Sequence, residues 1–165
     1  MSEHKAFILW ENTSAPGEFT KGRYSREHTW KFDGGVSIPA SPSPSVVRPP
    51  FSNPDCVDPE EAFVAAISSC HMLTYLFLAG RKGFQVERYQ DEAVGVMIQN
   101  DAGVPWVSRI TLNVRVQYGP NAPSSEEEDH LHHEAHEQCY IANSVKTEIV
   151  VSKSSASVGG TSMHQ

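Results

Sequence analysis

The stretch Asp58–Leu76, DPEEAFVAAISSCHMLTYL, decides the fold prediction for this chain. It reads as the beginning of a long helix. Asp58 is a good N-cap, Pro59 suits the first helical position, and Glu61 completes a capping-box pattern with Asp58. Alanine and apolar side chains dominate the residues that follow, so the helix is expected to continue well beyond its first turns.

The uncharged part of this helix has two interpretations. Residues Ala62–Gly80 contain no Asp, Glu, Lys or Arg, and a segment of that length could cross a bilayer. Serine, histidine and threonine side chains lie in its middle, however, and a helix that is apolar all round also suits the centre of a core or of a dimer. We therefore predict a central helix with no membrane partner, ending near Gly80 or Gly83.

Strands are predicted before and after this helix. They are Ala6–Trp10, the region Thr29–Ile38 around the turn Asp33-Gly34-Gly35, an antiparallel hairpin of Glu87–Gln99 and Pro105–Tyr118, and Thr147–Ser152. In Pro105–Tyr118, apolar and polar residues alternate, which indicates one buried and one solvated face. The segment Pro39–Pro59 holds seven prolines and is expected to lack regular structure.

A second helix is predicted to begin near Ser124 or Ser125, because acidic residues follow in its first turn. Leu131, Ala135 and Cys139 recur at four-residue steps, which places Cys139 on the apolar side of that helix. Two helices with strands before, between and after them indicate an α+β fold. We predict one domain over residues 1–152 and a disordered, Ser/Gly-rich tail over 153–165.

Composition excludes several classes of protein. With 165 residues the chain is long enough for one domain with a hydrophobic core. The formal net charge of −7 argues against nucleic acids and anionic membranes as partners, because both need a basic face. Three cysteines are too few for a secreted disulfide scaffold, and the N-terminus does not resemble a secretory signal. A cytoplasmic protein is expected.

The cysteines are the candidates for chemistry. Cys70 lies in the middle of the first helix, where burial alone would raise the thiol pKa and make the thiol inert. A reactive Cys70 needs a positive neighbour, and the adjacent His71 points about 100° away around the helix. From the residues alone, Cys70 is either a catalytic thiol or a packed core cysteine.

Two motifs resemble the OsmC/Ohr family of thiol peroxidases. DPEEAFVAAISSCHMLTYL resembles the family's central helix, which carries the peroxidatic cysteine. LHHEAHEQCYIANSVKTEIVV resembles its second motif, in which a resolving cysteine precedes an Asn/Ser turn and a final strand. The likeness extends loosely from His4 and Lys5 to the end of that strand, which is nearly the whole chain.

The resemblance implies an OsmC-like fold, with antiparallel sheets packed around two central helices in an intertwined homodimer. It implies a peroxidase that reduces organic hydroperoxides to alcohols in oxidative stress defence and is itself reduced by an external dithiol, of lipoyl type or similar. Cys70 matches the peroxidatic cysteine and Cys139 the resolving cysteine. Glu60 matches a glutamate that holds a catalytic arginine.

The arginine falls outside the motifs. Arg23, Arg26 and Arg48 all precede the helix, and Arg26 is our prediction for the catalytic one. Ten helical residues separate Glu60 from Cys70, or about 15 Å along the axis, so Glu60 must act through the arginine or through a bend at the helix start. Cys56 in the proline-rich segment is taken as incidental; the alternative is a redox or dimer-linking role.

Two other functions stay open at this point. His132 and His136, like His133 and Glu137, share a helical face at a spacing that can bind a transition metal, and Cys139 would then be a ligand. We prefer a solvated His/Glu face and predict no metal and no cofactor. The other alternative is a dimeric OsmC-like domain that binds a ligand or metal without catalysis.

Overall fold

The computed structural model describes residues 2–153, and it divides into two compact units. The first unit ends at Phe63 and the second begins at Val64. Most of the predicted tail, residues 154–165, lies outside the described residues, and the prediction of one domain over 1–152 stays a prediction.

The first unit is built on a small antiparallel sheet. Its three strands, in the spatial order β1-β2-β3, are β1 (Ala6–Leu9), β2 (His28–Phe32) and β3 (Ser37–Ala40). The Gly35 N–H donates to the Phe32 carbonyl at 3.0 Å and Gly35 has a φ of 85°, so the predicted turn needs its glycine. The proline-rich segment was expected to be irregular from Pro39, but β3 continues through Pro39 to Ala40. Residues 41–58 then hold no helix or strand, as predicted, apart from one bridge between Ala40 and Val57.

Helix α1 spans Pro59–Arg81, and its N-terminus is capped as the sequence predicts. The Glu61 N–H donates to the Asp58 carboxylate at 2.7 Å, and the Asp58 N–H donates to the Glu61 carboxylate at 3.3 Å. At the other end, Gly83 adopts a φ of 83° and the Phe84 N–H donates to the Ala79 carbonyl at 3.0 Å, which closes the last turn. By length and composition, α1 could cross a membrane.

The second unit holds a four-stranded sheet centred on one long strand. Its members are β4 (Val86–Asp91), β5 (Val94–Gln99), β6 (Pro105–Tyr118) and β7 (Glu148–Lys153). β4 and β5 pair antiparallel with successive halves of β6, and β7 runs parallel to it. Ile110, Leu112 and Val114 of β6 are buried, which confirms the predicted buried face.

One predicted strand is interrupted. Glu87–Gln99 was expected to be continuous, but it breaks at Glu92 and Ala93 into β4 and β5. The Asn113 side-chain amide donates to the Glu92 carbonyl at 2.8 Å and takes the acceptor that the backbone ladder would use. The register is unchanged across the break, because Asp91 lies opposite Val114 and Val94 lies opposite Thr111.

Helix α2 spans Ser125–Gln138 and has a complete capping box between Ser124 and Glu127. Its buried face packs on α1: Leu131 and Ala135 form a core cluster with Tyr75, Leu78 and Ala79. Two helices with mainly antiparallel sheets confirm the predicted α+β class. The helix stops one residue short of the prediction, because Cys139 is its C-cap and has left the helical conformation with a ψ of 116°.

Candidate functional site: a cysteine pair between two helices

Cys70 lies on α1, within the second unit, and its side chain is partly exposed. The Thr74 hydroxyl donates to the Cys70 carbonyl at 2.9 Å, one turn further along the helix. Cys70 forms no disulfide among the described residues. A rigid helix interior therefore holds a sulfur that solvent can reach.

Cys139 is fully buried, with no exposed surface. It has left the helical conformation, and its sulfur accepts a hydrogen bond from the Ala142 N–H at 3.4 Å. Burial and a hydrogen bond to Cys70 together raise the pKa of the Cys139 thiol to about 11, although backbone donors act in the opposite direction. Cys139 therefore keeps its proton at neutral pH.

The fold thus brings together the two cysteines that lie 69 residues apart in the sequence. The electrostatic effect of Cys70 also raises the Cys139 pKa, so Cys139 is the neutral thiol beside Cys70. A thiolate is the nucleophilic form of cysteine, and a neighbouring thiol is what converts an oxidised cysteine into a disulfide. The pair can carry out thiol–disulfide chemistry.

Arg26 and Glu60 share a cavity of about 420 Å³ in the first unit. The Arg26 guanidinium stacks over the Tyr24 ring at 4.1 Å and donates to the Tyr24 carbonyl at 3.1 Å. The ion pairs found in residues 2–153 do not include Arg26 with Glu60. Apolar and aromatic side chains form most of the remaining wall: Ile8, Trp10, Phe19, Tyr24, Pro42, Val46 and Pro59, with His28.

The other two arginine candidates lie elsewhere. Arg23 forms an ion pair with Glu18 at 3.1 Å, and Arg48 is exposed in the proline-rich segment. Neither lines the cavity that holds Glu60. Of the three, Arg26 is the one that lines the same cavity as Glu60.

Cys56 is a poor nucleophile. Partial burial raises the pKa of its thiol, and the carboxylates of Glu27 and Asp55 raise it further. This environment supports the view that Cys56 is incidental to the chemistry.

The histidine-rich helix differs from the prediction of a solvated face. His133 is solvated and pairs with Glu137 at 3.4 Å, as expected. His132, however, is 5% exposed, and its Nδ1 lies 3.1 Å from Nε2 of His71, which is 1% exposed. Within residues 2–153, no group of three or more His, Cys, Asp or Glu side chains is arranged to hold a metal ion.

Burial lowers the pKa values of both paired histidines to about 4. Their rings are parallel, with centroids 5.4 Å apart, and the His132 ring also stacks on Tyr75 at 4.3 Å. Both imidazoles are therefore neutral at pH 7, and one donates its N–H to the other. This pairing could not be predicted from local sequence patterns, because His71 and His132 are 61 residues apart.

A partly buried chain of hydrogen-bonded side chains was also missed. The Tyr75 hydroxyl contacts the Tyr118 hydroxyl, which in turn donates to the Glu128 carboxylate at 2.8 Å. These hydrogen bonds link α1, β6 and α2. In the sequence, Tyr75 and Tyr118 are recognisable only as aromatic residues on apolar faces. The one available clue was Tyr118 at the end of the buried face of β6.

The family was identified by comparison with known proteins. Residues 52–153 match the family model described as OsmC-like protein. No curated protein matches the chain. An OsmC-like protein of unknown function from Vibrio cholerae is 47% identical, with a TM-score of 0.89, and the alignment covers 93% of this chain and all of the other.

Two more distant structures share the fold. One is an organic hydroperoxide resistance protein from Legionella pneumophila, at 13% identity and a TM-score of 0.68; the other is OhrB of Bacillus subtilis, an organic hydroperoxide resistance protein, at 14% and 0.66. Each alignment covers 93% of this chain and 98% of the other. With the match over residues 52–153 and the 47% identity to the Vibrio protein, these comparisons show that the chain belongs to the OsmC-like protein family.

Proposed function

We propose that this protein is a cysteine-based peroxidase that reduces organic hydroperoxides to alcohols in oxidative stress defence. Membership of the OsmC-like family supports a peroxide-related redox role. The observation that carries the finer proposal is the contact of a partly exposed Cys70 with a buried Cys139. The organic hydroperoxide resistance proteins that share the fold favour the same substrate class.

The proposed reaction begins at the exposed sulfur. The Cys70 thiolate attacks the O–O bond of the hydroperoxide, which leaves a sulfenic acid on Cys70; the alkoxide takes up a proton and departs as the alcohol. The Cys139 thiol then condenses with the sulfenic acid, forming a disulfide and releasing water. A dithiol of lipoyl type reduces that disulfide by exchange, is itself oxidised to a disulfide, and restores both thiols.

Arg26 is proposed to stabilise the Cys70 thiolate, with Glu60 as the residue that holds the arginine. The support is their shared cavity in the first unit. A guanidinium near a thiolate lowers the thiol pKa. The aromatic and aliphatic wall of that cavity suits the alkyl part of an organic hydroperoxide better than it suits hydrogen peroxide.

We also propose that the protein acts as a homodimer in the cytoplasm. Two large apolar side chains of α1 are exposed: Leu73 is 61% exposed and Phe77 is 59% exposed. Large apolar side chains side by side on a helix mark an interaction surface. A second copy of the chain is the proposed occupant of this surface.

A non-catalytic ligand-binding domain is the second candidate. It is favoured by the hydrogen bonds from the Arg26 guanidinium to the backbone carbonyls of Gly22 and Tyr24, at 3.5 and 3.1 Å. An arginine held in this way has fewer donors for a substrate or a thiolate. Such a domain would have the cavity but would not turn over a hydroperoxide.

Turnover of cumene hydroperoxide with a dihydrolipoyl reductant separates the two candidates. We expect Cys70→Ser to lower the rate to the uncatalysed background, because the nucleophile is lost. Cys139→Ser, mixed with hydroperoxide before the reductant is added, should consume about one equivalent and stop at the sulfenic acid, because no internal thiol is left to form the disulfide. Cys56→Ser is the matched control and should keep the parent rate; full activity in Cys70→Ser would reject the peroxidase.

A further inference from the structure

The turn that follows Cys139 is organised around one side chain, that of Asn143. Its amide nitrogen donates to the carbonyl of Glu137 at 2.8 Å and to that of Cys139 at 2.9 Å. The backbone N–H of Asn143 also donates to the Cys139 carbonyl, at 3.0 Å. A single residue therefore satisfies two of the carbonyl groups that α2 leaves unpaired at its C-terminus.

These bonds decide where Cys139 points. A regular helix would carry Cys139 onward in the α conformation, but its ψ is 116° and the chain turns into a short 3-10 helix, Ala142–Ser144. In that turn the Ala142 N–H is directed at the Cys139 sulfur, at 3.4 Å. The same conformation brings the buried thiol against Cys70.

We propose that Asn143 is the positioning residue of the resolving step: it holds the turn in which the Cys139 thiol faces Cys70. This inference rests on the proposed peroxidase. Asn143 contacts neither sulfur in the hydrogen bonds it makes, so it does not take part in the attack on the hydroperoxide. It acts on the second step, in which the Cys139 thiol forms a bond to the Cys70 sulfenic acid and water leaves.

The chemistry of the step makes it sensitive to position. A disulfide forms only when the two β-carbons lie about 3.5 to 4.5 Å apart and the torsion about the sulfurs is near 90°. Without the Asn143 amide, the Glu137 carbonyl loses its donor from this side chain, and the last turn of α2 is free to extend through Cys139. The thiol would then face Cys70 in only a fraction of molecules, and the resolving rate would fall with that fraction.

The test separates the two steps in time. A single-turnover reaction of the reduced protein with cumene hydroperoxide is followed by rapid quench, with dimedone to trap sulfenic acid and peptide mass spectrometry to quantify the disulfide. For Asn143→Ala we expect an unchanged rate of Cys70 oxidation and disulfide formation slowed roughly tenfold, the size expected for the loss of two ordinary hydrogen bonds. Sulfinic acid on Cys70 should also accumulate at lower peroxide concentrations.

Two further variants complete the test. Asn143→Ser removes the amide that donates to the Glu137 and Cys139 carbonyls but keeps a small polar residue, and it should show the same split between the steps if Asn143→Ala folds poorly. Gln138→Ala is the matched control, since Gln138 is an amide-bearing residue near the end of α2 whose side chain donates to Glu134 and not to the turn. It should leave both rates unchanged.

Oxidation by diamide distinguishes failure of this inference from failure of the peroxidase. If the hydroperoxide does not oxidise Cys70 but diamide forms the Cys70–Cys139 disulfide more slowly in both Asn143 variants, the peroxidase is wrong and the positioning role stands. Equal rates of disulfide formation in the parent and in the Asn143 variants, with either oxidant, would overturn the positioning role. So would failure of diamide to form the disulfide in the parent, because the two sulfurs would then not be positioned to react.

Discussion

The buried pair of His71 and His132 should make the protein lose stability as the pH falls from 7 to 5. Burial lowers both pKa values from 6.5 to about 4, so the unfolded chain binds more protons than the folded chain between those values. The stability contributed by each neutral imidazole is fully present above pH 6.5 and is lost as the pH falls toward the folded pKa. Acid should therefore destabilise the fold.

The size of this effect follows from the two pKa values. For one histidine with a pKa of 6.5 unfolded and about 4 folded, the free energy of unfolding falls by about 2 kcal/mol between pH 7 and pH 5. The two imidazoles share one hydrogen bond, so their losses are not simply additive. The charges of Lys153 and Asp129 act on His132 in opposite directions, the first lowering and the second raising its pKa.

The assay is urea unfolding at pH 7 and at pH 5, followed by tryptophan fluorescence at one fixed protein concentration. In His71→Gln the amide can still donate toward His132 but cannot take a proton, so the loss on acidification should be smaller than in the parent by about 2 kcal/mol. His133→Gln, at a solvated position on the same helix as His132, is the control and should lose as much as the parent. An equal loss in the parent and in His71→Gln would refute the reasoning.

Two further predictions concern packing and assembly. Gly95→Ala should lower the free energy of unfolding by about 1 to 3 kcal/mol, since its β-carbon would lie 2.6 Å from a methyl carbon of Val64; Gly34→Ala, with open space around it, is the control, and equal urea midpoints would contradict the clash. Phe77→Asp should convert the proposed dimer into monomers in sedimentation velocity, because it places a charge in an apolar interface, whereas Phe77→Leu should stay dimeric; a dimeric Phe77→Asp would exclude this face of α1.

Local rules in the sequence were enough for much of the fold. The start of α1 follows from Asp58, Pro59 and Glu61, since capping depends only on neighbours in the chain. The buried face of β6 follows from alternation, because successive side chains of a strand point to opposite sides. The break between β4 and β5 could not be predicted, because it depends on a side chain from another strand, Asn113.

The candidate site was predictable only in part. Cys70 and Cys139 were singled out by their two motifs, and the fold places them in contact. The end of α2 was misplaced by one residue because apolar periodicity continues through Cys139, whereas the Asn143 amide ends the helix before it. The buried state of His132 was missed for a similar reason: its partner, His71, comes from the other helix.

The most direct test of the central claim is disulfide mapping after the reduced protein meets one equivalent of an organic hydroperoxide. The peroxidase predicts that a peptide containing Cys70 becomes linked to one containing Cys139, that Cys56 stays free, and that one equivalent of alcohol is released. Recovery of Cys70 and Cys139 as free thiols, with the hydroperoxide unconsumed, would contradict it.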